Sequence, residues 1–178
     1  MKCRVFLSPY KKTLSNGGGM LLGKKRKLGK KLKDIQIGET FSTSAKIEDK
    51  DLLLFLGLTD DANPLYIQHD YASQTPFKRP IVPTVMLNGI VTSAISMHLP
   101  GPGCHIVEEH LYYPNPVHHY AELQVSLEVT EMDWEKHLVT VKAIALDEEG
   151  NEVVNGTLNV CPAYEPESMN AKSLENFY

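Results

Sequence analysis

The stretch from residue 83 to 99 constrains the fold more than any other part of this chain. Val85, Met86, Leu87, Ile90, Val91, Ala94, Ile95, Met97 and Leu99 place apolar groups around most of a helix circumference. Pro83 stands at the start, and Pro100-Gly101-Pro102-Gly103 forms the stop. Between them lies a helix of about 84–99, roughly 24 Å long at 1.5 Å per residue. A helix apolar on nearly all sides has to be buried, and one of this length spans a small sheet. Gly89, Ser93 and Ala94 are small enough to admit strands close to it.

What surrounds the helix is strand. Before it, Phe41, Thr43, Ala45 and Ile47 alternate with polar neighbours, which predicts a half-buried strand. Asp49 then reads as the N-cap of a short helix that ends at Gly57. After the loop 59–64, residues 65 to 72 read as a second short helix. Beyond the stop, the spacing predicts strands over 106–113, over the period-two segment Leu123, Val125, Leu127, Val129, and over 137–146 and 153–160. The acidic stretch 147–151 reads as a hairpin loop. One strand, one buried helix and a run of antiparallel strands give an α+β order, with a curled sheet around a central helix.

At 178 residues and 42% hydrophobic content, the chain fits one globular domain, which we place at 34–162. The remaining residues form a leader, 1–33, and a loose tail, 163–178. The leader holds eleven of the eighteen Lys and Arg residues and no acid, and too few apolar residues to build a core. Three glycines ahead of Met20 correspond to purine-rich codons of the kind that bind ribosomes, which predicts translation from Met20 and a start-site artefact over 1–19. The rest of the chain carries seven basic against twenty-two acidic residues, a balance that argues against nucleic acid as a partner. No apolar run is long enough to cross a membrane, and no secretory signal is visible, so the expected location is the cytoplasm. Cys3, Cys104 and Cys161 read as free thiols. The scattered histidines lack partners at ligand spacing, and no metal is expected.

The family signal lies in Gly57-Leu58-Thr59-Asp60-Asp61-Ala62-Asn63-Pro64-Leu65-Tyr66, then Asp70, Ala72 and Phe77, then Arg79-Pro80-Ile81-Val82-Pro83-Thr84-Val85-Met86. These residues resemble the signature of the MaoC-like (R)-specific enoyl-CoA hydratases, over roughly 34 to 161. The Pro-Gly stop, Pro116-Val117 and the Val-x-x-Gly at Val153 to Gly156 also fall where that family has them. The resemblance implies a hot-dog fold, pairing into a homodimer, and a substrate carried on coenzyme A or acyl carrier protein, with no other cofactor. It implies that Asp61 is the acid/base that adds water across an enoyl thioester, giving an (R)-3-hydroxyacyl product. It also implies that the backbone N–H of Thr84 receives the thioester oxygen. Charge develops on that oxygen, and an amide at a helix N-terminus stabilises it. Asn63, Pro64 and Leu65 match loop-shaping positions, while Pro83 and Val85 flank the oxyanion donor against the substrate.

Two positions depart from the pattern. Tyr66 stands where the family has its water-holding histidine, and Pro83-Thr84 replaces His-Gly. A phenol can hydrogen-bond a water but is a poor base near neutrality. In a continuous helix His69 would lie three residues along from Tyr66, a place from which it would supply the missing imidazole. A non-catalytic acyl-thioester binder is therefore the competing reading. A thioesterase is the third, and it is disfavoured because residues 71 to 107 hold no Asp or Glu for the central helix to present.

Overall fold

The computed structural model describes residues 28–165. Most of the leader, the proposed start at Met20 and the tail beyond 165 lie outside the described residues. The first strand, β1 (Thr40–Lys46), turns Ala45 into the core, with the buried Ile47 just beyond its end. Helix α1 (Asp49–Thr59) follows. Its N-cap is Glu48, which exchanges hydrogen bonds with Asp51 in a capping box, so Asp49 is the first helical residue rather than the cap. The helix also runs past Gly57 and ends where Asp60 takes the left-handed conformation at φ 57°.

Two short helices, α2 (Pro64–Ile67) and α3 (His69–Ser73), replace the single helix expected over 65–72. The cause is a tertiary bond. Leu65 O accepts a hydrogen bond from Ile81 N at 3.0 Å. In a continuous helix that carbonyl would have served the amide of residue 69.

Helix α4 (Thr84–Met97) is the central helix. It stops before Leu99 because Pro100 disfavours helical backbone in the residue ahead of it. The strands are β2 (His105–Tyr112), β3 (Glu122–Asp133), β4 (Leu138–Leu146) and β5 (Glu152–Cys161). They form one antiparallel sheet with β1 in the order β1-β3-β4-β5-β2. Leu123, Val125, Leu127 and Val129 on β3, with Val139, Val141, Ala143 and Ala145 on β4, turn inward against Leu87, Val91, Ala94 and Ile95 of α4. A sheet curled over one long helix is the hot-dog fold.

The central helix is not enclosed. The sheet covers one side of α4, while Val85 is 63% and Met97 52% exposed. Nor does Gly89 admit a strand, for it faces open space. The glycine that does allow close approach is Gly156 on β5, where a Cβ would stand 1.9 Å from His110 O of β2.

Both boundaries of the domain extend beyond those read from sequence. Gly29 N and Lys30 N donate to Pro102 O and Pro100 O at 2.7 and 2.8 Å. Leu32 is buried in the core, so residues 28–33 pack on the fold instead of belonging to a leader. The segment fits because Gly29 has no side chain; a Cβ there would lie 2.4 Å from Pro100 O. At the other end Ala163 is buried, Tyr164 stacks on His137 at 4.1 Å, and Glu165 pairs with Lys31 and Lys33. The chain is docked at least to Glu165, past the expected start of the tail.

Candidate active site

The stretch from Asp61 to Tyr66 is a sequence of turns, each closed by a short polar side chain. Thr59 Oγ1 accepts from Asp61 N at 3.3 Å, and Asp61 Oδ1 accepts from Asn63 N at 3.3 Å. Asn63 is the N-cap of α2, with its Oδ1 accepting from Leu65 N at 3.0 Å and Pro64 filling the first helical position. Asp61 and Pro64 are exposed, while Asn63, Leu65 and Tyr66 are half-buried. The Tyr66 ring meets Phe55 of α1 edge to face, with centroids 6.5 Å apart. Asp61 thus shapes its own loop and still presents a carboxylate to the outside.

The second part of the site is the start of α4. Pro83 is buried and sits at the N-cap, followed by the exposed Thr84 and Val85. The Thr84 N–H belongs to the first turn of the helix, whose amides have no acceptor within the helix and carry its positive dipole end. Backbone bonds join the two parts. Besides the bond from Ile81 N to Leu65 O, Val82 N donates to Val117 O at 2.8 Å. The end of the 61–66 loop is thereby tied to the segment that leads into α4. His69 is a different matter: it is exposed and opens α3, and the break at Gln68 removes the helical relation that would have set it beside Tyr66.

Sequence reasoning missed His119. It lies 53 positions beyond Tyr66 in the chain, and only the fold shows that its Nε2 is buried without a hydrogen-bond partner among the described residues. Burial holds its imidazole below the ordinary value, against the pull of the Ile81 and Tyr66 carbonyls and of Asp49. Asn88, one turn into α4 from Thr84, donates to Glu109 Oε1 of β2 at 2.6 Å, and its own Oδ1 is buried without a partner among the described residues. Two surface clefts, of about 390 and 270 Å³, lie elsewhere, lined around Lys30 to Glu39 and around Trp134 and Tyr164. No predicted site residue lines either of them, so neither marks the chemistry.

Residues 33–149 match the family described as the MaoC like domain. The chain belongs to that family. This MaoC-like chain is 33% identical over 109 residues to the (R)-specific enoyl-CoA hydratase of Rhodospirillum rubrum, across 61% of this chain and 76% of that one. It is 26% identical over 122 residues to the (R)-specific enoyl-CoA hydratase of Aeromonas caviae, covering 68% of this chain and 91% of the other. Among solved structures it superposes on the unliganded R-hydratase of Pseudomonas aeruginosa with a TM-score of 0.72 at 26% identity, over 80% of this chain and 97% of that one. These are hot-dog relatives, and the residues matched by the family model include both parts of the site.

Proposed function

We propose that this MaoC-like chain is a lyase that reversibly hydrates the double bond of an enoyl thioester to an (R)-3-hydroxyacyl thioester. Water oxygen adds at C3 and a proton at C2, with Asp61 accepting the proton from water and returning it. The Thr84 N–H donates to the thioester oxygen while negative charge develops there. The observation that supports this reading best is the backbone bond from Ile81 N to Leu65 O, because it ties the segment after Asp61 to the one leading into α4. The relatives named as hydratases support the same chemistry. Asn63, Pro64 and Leu65 hold the loop, and Pro83 and Val85 border the oxyanion donor. No cofactor enters beyond the coenzyme A or acyl carrier protein that bears the acyl group.

The site is open to solvent on a single chain, since Asp61, Thr84 and Val85 are all exposed. Oxyanion stabilisation is strongest where water is excluded. A second copy of the chain, laid against the uncovered side of α4, supplies that cover, and a homodimer is part of this proposal. Among the described residues no helix is long and apolar enough to cross a membrane. The free Cys104 and Cys161 suit a reducing compartment, and we place the protein in the cytoplasm.

The test follows loss of the conjugated enoyl absorbance of crotonyl-CoA and longer enoyl-CoAs. Wild type is expected to hydrate them, and Asp61→Asn to lower kcat by about 10²- to 10⁴-fold, the span of general acid/base catalysis. One observation favours a second reading: Tyr66, held edge-on to Phe55, offers a phenol where the family pattern has an imidazole. If wild type binds acyl-CoA without turnover and Tyr66→His gains activity, the chain is a binder and the hydratase reading fails. Release of free thiol would point instead to a thioesterase.

A further inference from the structure

We propose that Glu109 and Asn88 form a polar stop for the acyl tail, so that this chain takes short enoyl thioesters and rejects long apolar ones. The inference rests on the hydratase reading for where the thioester lies, and it adds the substrate class. Glu109 stands on β2, the edge strand, opposite Leu158 of β5. Facing residues of antiparallel strands turn to the same side of a sheet, and Leu158 is fully buried in the core. Glu109 is therefore a carboxylate on the inner face, the one that packs against α4. Leu111, two residues along on the same face, joins the apolar core as that position requires. Glu109 instead finds a partner on the helix. Asn88 Nδ2 donates to Glu109 Oε1 at 2.6 Å, and Asn88 Oδ1 is buried without a hydrogen-bond partner among the described residues.

This contact differs from the rest of the packing between helix and sheet. Against β3 and β4 the helix presents Leu87, Val91, Ala94 and Ile95, and the contact is apolar. Against β2 it is polar. Glu109 also stays exposed although it turns inward, so the seam between α4 and the sheet edge is open to solvent there. Asn88 lies four residues after Thr84, on the same face of α4 and about 6 Å further along its axis. An acyl tail entering this seam from a thioester oxygen held at the Thr84 N–H meets the pair within about one turn of the helix. A crotonyl group ends short of it, whereas an octenoyl tail lies against it. On an apolar wall each added methylene would strengthen binding about fourfold. Against this wall the gain is lost, because the methylenes strip water from a carboxylate and cover an amide oxygen that no donor satisfies.

The test compares kcat/KM for crotonyl-CoA and octenoyl-CoA in wild type, Glu109→Leu, Glu109→Gln and Asn88→Leu. Wild type is expected to favour crotonyl-CoA by about tenfold or more, and Glu109→Leu to raise the octenoyl-to-crotonyl ratio by at least about tenfold, a modest share of what several methylenes supply on an apolar wall. Glu109→Gln keeps a polar wall and an acceptor for Asn88, and should move the ratio less than Glu109→Leu does. Should Glu109→Leu not fold, Asn88→Leu carries the same comparison from the helix side, with a rise in the ratio expected. Wild type turning over octenoyl-CoA as well as crotonyl-CoA overturns the proposal. So does an unchanged ratio in the leucine variants, which is the result for a pair that only staples α4 to β2 and whose loss lowers both rates alike. If no enoyl-CoA is hydrated, the hydratase reading fails on its own, and calorimetry with butyryl-CoA and octanoyl-CoA decides this one. Binding that tightens at least about tenfold from butyryl to octanoyl in Glu109→Leu, and not in wild type, upholds the polar stop. Equal tightening in both proteins, or no binding by either, overturns it.

Discussion

At the scale of single residues, Thr84 allows a backbone amide to be removed without reshaping the chain. Thr84 is the first residue of α4, where proline is favoured, and Pro83 before it already holds φ −55° and ψ 133°, the extended conformation that a following proline requires. Thr84→Pro therefore deletes the N–H and keeps the helix. We expect kcat for hydration to fall about 10²- to 10³-fold, the loss seen when an oxyanion donor is removed. The melting temperature should stay close to wild type, and both are read from steady-state kinetics and thermal denaturation. His119 gives a pH prediction. Its folded value is depressed below 6.5, so the stability of its neutral, buried form is complete above 6.5 and is lost as pH falls through the lower folded value. Urea midpoints measured between about pH 7 and 5 should decline less steeply for His119→Gln than for wild type.

At the scale of elements, the tightest packing constraint is the pairing of β2 with β5 at Gly156. A methyl group there meets His110 O at 1.9 Å, and a backbone oxygen can yield only by shifting its strand. Gly156→Ala should destabilise by about 3 kcal/mol, the upper part of the range for overpacking, measured as a fall in the denaturant midpoint. The strands themselves were readable from sequence because one face of the sheet is dry. Leu123, Val125, Leu127 and Val129 must all turn the same way, and period two records that directly. Helix ends were less readable. Glu48 and Asp49 are adjacent acids that could each cap α1, and the choice is made by the reciprocal bonds with Asp51. The break between α2 and α3 had no local signal at all, since it is made by an amide 16 positions away, that of Ile81 bonding to Leu65.

At the scale of the whole molecule, the apolar surface left on α4 and α1 is what the proposed homodimer would cover. Leu53, Leu54 and Leu58 of α1 are exposed along with Val85 and Met97 of α4. Sedimentation should show a two-chain species, and Met97→Glu should shift it toward single chains and lower hydration together. The all-round apolar pattern of residues 85–99 led to the expectation of a fully enclosed helix; the single chain buries only the side facing the sheet and leaves Val85 and Met97 exposed. The candidate site was legible where it is written in consecutive residues, from Asp61 to Tyr66 and from Pro83 to Val85. It was illegible at His119, whose place depends on the connection between β2 and β3 folding back beside residues 80–82. The packed segment at residues 28–33 bears on how the protein can be handled. It crosses Pro100 and Pro102 at the far end of α4, about 21 Å from Thr84 for a helix of 14 residues. A fluorophore or surface linker attached at Leu28 would thus enter the fold at the end remote from the chemistry, and immobilised protein should keep its turnover.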